Sequence, residues 1–561
     1  MTTRRLFALF GLVSLWSLVS CADAPENIHA WADREGHVHV RWTTKAPAKG
    51  HVQWGTRSHL LDRVVQEDSS CLRGTTNNRD SGEGWANNHR ADFQGTGQWP
   101  VFARIRGTTR DGNPLEGDTI TVPAPAQGMV TGDGGEILIM VDAGDWPLQS
   151  MPLTFGVPFP PGTLDRASQV QATGTDGAYP TQARAVTRWH RDGSVKWLRV
   201  DTIVARTEKT LVLKYGPSVS TLTPRATKWT GLAYSPSITV TDAEGQQFSF
   251  ALSKRPDTEE LGAVKAVTKF SGPLKDDEGR AFGQAIVRMH AWQGLPVTRL
   301  DVTLENDAVQ QEMTTIRSAE LNLAWPEQSV RVGRTGHAVE LKSGDGLLQR
   351  EDFEWKTTTS AQRGKRIDGI CRPAAGPAII LRHFWEQWPS SIELQDGQLT
   401  VGLCPTLPSA QYEGRNDEDM FYYHIRDGLH TFRQGWSKTW ELWQGPTEAA
   451  DALAGAIPVA CVAPEWLETS DAFGLMAVGV RDQFPGYDET LADAIDGYAD
   501  GRDRRREYGM MNFGDWYGER RWNWGNLEYD LGHGFLMQYA RTGHPTFRRH
   551  ADEILRHQRD V

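Results

Sequence analysis

The spacing of apolar residues changes once along this chain, near Thr447, and that change limits the fold more than any other feature. Before it, apolar and polar residues alternate in short runs bounded by turn residues; after it, they recur at helical spacing. A chain written this way is multidomain and mainly β followed by α. Its 561 residues suffice for several separate cores.

The N-terminus predicts export. Arg4 and Arg5 precede an apolar run from Leu6 to Val19, too short to span a membrane but suited to a signal peptide. The run closes on Leu18-Val19-Ser20-Cys21, which resembles a lipobox, so Cys21 is the expected lipidation site and residues 1–20 the cleaved leader. Thr3-Arg4-Arg5-Leu6-Phe7 also resembles a twin-arginine export motif. An ordinary cleavage site beside a chance cysteine is the alternative. The expectation is a protein of the cell envelope, lipid-anchored through Cys21 on the periplasmic or outer-surface side. Of the other cysteines, Cys71, Cys371, Cys404 and Cys461, none forms a CxxC pair or a zinc-type spacing. An oxidising periplasm would allow Cys371 and Cys404, in one β-unit, to pair.

Alternation is clearest in His37-Val38-His39-Val40-Arg41-Trp42 and His51-Val52-Gln53-Trp54. With the run Val101 to Gly107 and the turn Arg110-Asp111-Gly112-Asn113, this resembles a fibronectin type III module centred on a buried Trp42, a kind of module usually found as a spacer. Pro123-Ala124-Pro125-Ala126 reads as a stiff linker. A second β-unit follows, in which Asp192-Gly193 predicts a tight turn flanked by Trp189 and Trp197. A third, longer β-unit contains the runs Leu295 to Leu304 and Ala378 to Phe384.

Helices are expected over Glu448–Ala456, Asp471–Val480 and Glu489–Tyr498, and again between Asn526 and Thr542, where Tyr529, Phe535, Leu536 and Tyr539 share one face. Gly543 is placed to cap that helix and Pro545 to open the next, whose apolar residues are Phe547, Ala551, Ile554 and Leu555.

Composition narrows the partner. The formal charge is −11, and losing Arg4 and Arg5 with the leader takes it to −13, which argues against nucleic acid. Any acidic ligand must then be held by local arginines. The 22 tryptophans supply flat faces of the kind that pack against sugar rings, although most are expected in the core.

Three stretches carry a family resemblance. They are Gly156-Val157-Pro158-Phe159-Pro160-Pro161-Gly162 with Trp189 to Trp197; Phe384-Trp385-Glu386-Gln387-Trp388-Pro389 with Gly435 to Thr439; and Asn512 to Glu519 followed by Trp524 to Asp530. Together they resemble the exo-rhamnogalacturonan lyase-like proteins, polysaccharide lyase family 26, from about Met129 onward. The resemblance implies a RIFT-type barrel, a central β-sandwich and a C-terminal α/α toroid, behind the added fibronectin-like module. The expected domains are therefore 21–125, 129–220, 224–447 and 448–561. The last holds about two of about six helical hairpins, so the toroid reads as partial and truncated, and activity as impaired.

The implied chemistry is β-elimination on an acidic, pectin-like polysaccharide or oligosaccharide such as rhamnogalacturonan. It needs a group to neutralise the uronate, a base for the C5 proton and an acid for the leaving oxygen, and no cofactor or metal is obligatory. Tyr517, Tyr529, His533 and His424 are the candidate acid/base groups. Tyr529 and His533, four residues apart, would share one helical face. Arg520, Arg521 and Asn526 are placed to meet a carboxylate. Trp516, Trp524, Asp515, Glu528 and Asp530 are the candidate sugar contacts. Tyr422, His424 and Arg426 would share one strand face, with a solvated hairpin edge as the plainer reading. Two other classes stay open: a paired-carboxylate glycoside hydrolase on the same architecture, and a non-catalytic glycan-binding lipoprotein.

Overall fold

The computed structural model describes residues 23–32, 37–72, 84–122, 134–144, 146–190, 192–222, 229–252, 256–307, 312–413, 425–473, 486–516, 525 and 528–560. Strands make up 49% of the described residues and helices 14%. The predicted leader, Cys21 and the predicted linker lie outside them. Among the described residues, no helix is long and apolar enough to cross a membrane.

Contacts divide the chain into two units, the first made of Met1–Val130 with Arg188–Ser194 and the second of Thr131–Thr187 with Val195–Val561. The backbone of the first is the 19-residue strand His37–Gly55, whose alternating burial sends Val38, Val40, Trp42, Ala48, Val52 and Trp54 inward. The first half of this strand pairs with Glu26–Ala32 and Ala86–Gln94, the second with Arg63–Gln66 and Val101–Thr109. Trp42 is the buried centre, stacked on His89 at 5.0 Å. A Cβ on Gly50 would lie 2.6 Å from the Trp42 ring, so only glycine fits there. The His89 ring bonds Glu67 at 2.6 Å, and Glu67 also accepts from the Gly50 amide, which satisfies a polar cluster inside an apolar core.

The second unit begins with two small sheets. One is ordered Gly177–Ala178, Val170–Gly174, Thr210–Tyr215, Gly135–Asp142, Val459–Val462; the other is Thr181–Arg188, Val195–Ala205, Ser150–Pro158. Their inward residues, among them Ile139, Leu153, Val157, Val200 and Leu213, form one core. The fifth strand, Val459–Val462, comes from far downstream. It pairs antiparallel with Gly135–Asp142, and Trp466 just after it donates its indole N–H to the Pro158 carbonyl at 2.6 Å. The predicted turn is present: Gly193 has φ 67° and Ser194 donates to Asp192 from both its amide and its hydroxyl.

The nineteen described strands between Pro236 and Gly445 form one antiparallel network that pairs back on itself, with Trp325, Trp388, Trp440 and Phe384 at its centre. Trp443 and Trp292 reach from it into the core of the two small sheets, stacked at 5.4 Å. Cys371 and Cys404 are buried free thiols: Cys371 faces Ile379 across its sheet, and the Cys404 sulfur lies 3.3 Å from that of Met510. The pairing allowed by composition is not made, because each cysteine is packed against a different neighbour.

Among the described residues, five α-helices follow: α1 Ala450–Ala454, α2 Pro464–Thr469, α3 Tyr487–Arg505, α4 Leu531–Thr542 and α5 Pro545–Asp560. Acids open α3 and arginines close it, which suits the helix dipole. Gly543, at φ 72°, ends α4 and Pro545 opens α5, as predicted. The α5 residues Phe547, Ala551 and Ile554 pack with Ile495, Trp516 and Phe535. Leu555 does not join them and is partly exposed, because one residue beyond Ile554 turns about 100° away from the apolar face. Residues 474–480 of the predicted Asp471–Val480 helix lie outside the described residues, and its start is a turn.

Candidate functional site

The turn 382–389 follows the strand Ala378–Leu381 and sorts its aromatic residues by spacing. Phe384 and Trp388, four apart, enter the sheet core, while His383, Trp385 and Glu386 stay half-buried at the surface. His383 takes φ 57°, a conformation uncommon outside glycine, and its carbonyl accepts from the Gln387 amide. Two backbone bonds, Gly509 N–H to Glu386 O and Met510 N–H to Trp388 O, fasten the turn to the loop after α3. This seam between sheet and helices gathers side chains of several kinds.

On one side, the His383 ring lies 4.9 Å from that of Phe513, and its Nδ1 is 3.7 Å from Glu386 Oε1. On the other, Trp385 meets Tyr508 edge-on at 5.0 Å and carries the Arg366 guanidinium 4.1 Å over its ring. Arg366 Nη2 donates to Asp503 Oδ1 at 2.7 Å, and the Tyr508 hydroxyl donates to the same oxygen at 3.2 Å. Arg506, stacked on Phe353, bonds Asp352 and Glu351 beside them.

Beneath the seam lies a buried polar node. Arg502 donates to Glu553 at 2.6 Å, and His550 meets the same carboxylate oxygen at 2.9 Å. Burial pushes the Glu553 carboxyl up, but His550 and Arg502 outweigh it and hold it down at about 2. Burial raises the Tyr498 phenol, whose oxygen has no hydrogen-bond partner among the described residues. Burial and the nearby Lys438 charge lower His557 to about 4.

A second node anchors the base of the turn. Glu441 accepts from Arg382 at 2.8 Å, Arg556 at 2.6 Å and the Trp443 indole at 2.8 Å, with Arg299 at 3.9 Å. Burial opposes the charge on Glu441, but the three arginines hold its carboxyl well below the usual range.

Of the residues singled out in the sequence, Asp515 and Trp516 reach the buried node. Asp515 is fully buried, 3.9 Å from His557, and Trp516 is part of the helical core. Tyr529 and His533 do not share a helical face. Tyr529 (φ 71°) and Asp530 (φ 49°) are both left-handed, so α4 starts only at Leu531. Tyr529 is 79% exposed, and the exposed His533 lies 3.8 Å from Asp530. Glu528 opens a short 3-10 turn. Arg426 is exposed beside the Asp427-Gly428 turn. Tyr517, Arg520, Arg521, Trp524, Asn526, Tyr422 and His424 lie outside the described residues.

Sequence reading passed over His383, Arg366, Arg502 and Tyr508. The motif Phe384 to Pro389 pointed to this region, but nothing local marks which residues fold against it. Among the described residues, no group of three or more His, Cys, Asp and Glu side chains is arranged to hold a metal.

Three solved structures align with part of this chain at low TM-score. The α-mannosidase from Enterococcus faecalis V583 aligns at 10% identity and TM-score 0.33, over 60% of this chain and 47% of its own. A glycosyl hydrolase family 38 protein from Enterococcus faecalis gives 11% and 0.33, over 60% and 48%. The family 36 α-galactosidase AgaA from Geobacillus stearothermophilus gives 11% and 0.20, over 61% and 39%. The chain thus spans about half the length of the first two and less of the third. No curated protein is significantly similar to it in sequence. Residues 140–213, which hold most of the two small sheets, match the PcRGLX-like N-terminal RIFT barrel domain.

Proposed function

We propose that this protein is a polysaccharide lyase that cleaves an acidic, rhamnogalacturonan-like chain by β-elimination, at the seam between the turn 382–389 and the loop after α3. The match of residues 140–213 to the RIFT barrel domain carries this reading. The seam supports it by offering the required residue types on a half-exposed surface: a histidine beside a carboxylate, an arginine, a tyrosine and a tryptophan face. In the reaction, an arginine offsets the uronate charge and a base removes the C5 proton. The C5–H electrons become the C4–C5 double bond, the C4–O bond breaks, and the leaving oxygen takes a proton. His383 is our choice of base. Tyr517, Tyr529, His533 and His424 remain proposed acid/base groups, and Arg520, Arg521 and Asn526 proposed uronate contacts. The module of residues 21–125 is read as a fibronectin III-like spacer, and Cys21 as the lipid anchor in the cell envelope.

Incubation with rhamnogalacturonan tests the reading. Elimination yields unsaturated ends that absorb in the ultraviolet, and His383→Gln should slow their release by about 10²–10⁴-fold with the circular dichroism spectrum unchanged. New reducing ends without absorbance would instead identify a hydrolase. Binding without turnover would identify a glycan-binding protein.

A further inference from the structure

Asp503 sits in a carboxylate-binding site that the protein has built and filled with its own side chain. One oxygen, Oδ1, accepts from both Arg366 Nη2 at 2.7 Å and the Tyr508 hydroxyl at 3.2 Å. Both donors are fixed from behind. Arg366 has its guanidinium carbon 4.1 Å over the Trp385 ring, its Nε donates to the Asp352 carbonyl at 3.0 Å, and its Nη2 stands 3.6 Å from the Asp352 carboxylate. Tyr508 is held against Trp385 and is followed by the backbone bonds that fasten the loop to the turn 382–389. The acceptor is different: the Asp503 side chain is 56% exposed, near the end of α3. Rigid donors with an exposed acceptor are what a ligand carboxylate needs in order to displace the internal one. A planar guanidinium stacked on an aromatic ring loses little further freedom on binding and offers its remaining N–H groups to a second oxygen.

We infer that Arg366 and Tyr508 form the uronate-carboxylate subsite and that Asp503 is an internal stand-in which substrate displaces. This rests on the acidic-substrate reading above and adds to it the residues that distinguish a uronate from a neutral sugar. Asp503 then acts as a built-in competitor: it weakens binding of every anionic sugar and keeps Arg366 oriented while the site is empty. In a chain of net charge −11, such a local cation is also the means by which a polyanion is held at all.

The test uses the full chain and two probes, a galacturonate trisaccharide and the neutral galactose trisaccharide, with equilibrium binding measured by calorimetry. Asp503→Asn removes the competing charge at an exposed position and should tighten the anionic probe by about tenfold, leaving the neutral one unchanged. Arg366→Gln should weaken the anionic probe by about tenfold or more. Arg366→Lys, which keeps the charge but loses the fork, should fall between. Tyr508→Phe should weaken the anionic probe by less than Arg366→Gln. Unchanged anionic affinity in Asp503→Asn and Arg366→Gln, or equal changes for both probes, would overturn the inference. Product absorbance is scored separately. Charge-selective effects without elimination would keep this subsite and remove the lyase reading; elimination with unaltered binding in Arg366→Gln would do the reverse.

Discussion

Lys438 Nζ lies 3.0 Å from Asp560 Oδ2, and both side chains are 2% exposed. The pair joins a strand of the central β-unit to the last turn of α5, 122 residues away. Burial lowers the pKa of the ammonium, and Asp560 only partly restores it, so each charge depends on the other.

Removing either partner should therefore cost more than an ordinary surface substitution. Lys438→Met or Asp560→Leu alone is expected to destabilise by about 3–5 kcal/mol, while the two combined recover most of it. A double-mutant cycle in urea checks this: additive single effects would mean the pair is not coupled.

Acid should unfold the second unit in two stages. His430 and His557, both lowered to about 4 by burial, are neutral in the fold, whereas unfolded histidines titrate near 6.5. Between those values the unfolded chain binds more protons, so stability falls as pH drops from about 6.5 towards 4. Glu553 and Asp301, held at about 2, contribute stability that is present above their unfolded values of 4.5 and 3.8 and is lost as pH falls towards 2. Unfolding midpoints across pH measure both slopes, and Glu553→Gln should flatten the lower one only.

Helical packing gives a contrast within one helix. Phe547 is buried against Phe535, so Phe547→Ala should cost about 3–5 kcal/mol. Leu555 is 38% exposed, and Leu555→Ala should stay within about 0.5 kcal/mol. Similar losses at both positions, measured by chemical unfolding, would contradict the packing described here.

Anchoring is tested by fractionation. Cys21→Ser should move the protein from membranes to the soluble fraction. A variant that stays membrane-bound with an uncleaved leader would show that lipidation is the wrong account.

What was legible in the sequence is what local physics decides. Alternation around Val38, Val40 and Trp42 announced the long strand His37–Gly55, Asp192-Gly193 the turn between Thr181–Arg188 and Val195–Ala205, and Gly543 with Pro545 the break between α4 and α5. Tyr529 misled because its seven-residue spacing from Leu536 is helical while its backbone is left-handed, which no side-chain pattern reveals. His383 and Arg366 went unnoticed for a related reason. Their meaning depends on Tyr508, Asp503 and Phe513, which lie more than a hundred residues away and are brought to the seam by tertiary packing alone. Lys438 and Asp560 are likewise ordinary charged residues until the fold seals them together.

The downstream strand of the five-stranded sheet bears on synthesis. Val459–Val462 covers the edge of Gly135–Asp142, and more than three hundred residues separate the two. At a translation rate of roughly 5–20 residues per second, that edge emerges on the order of 15–60 s before its partner exists. During this interval the nascent chain displays a row of unpaired amides and carbonyls flanked by Ile137, Ile139 and Val141, a template for pairing with the wrong chain. A chaperone that shields extended apolar segments should bind the newborn chain most strongly when its length is between about Tyr215 and Val459, and release it once Val462 has docked.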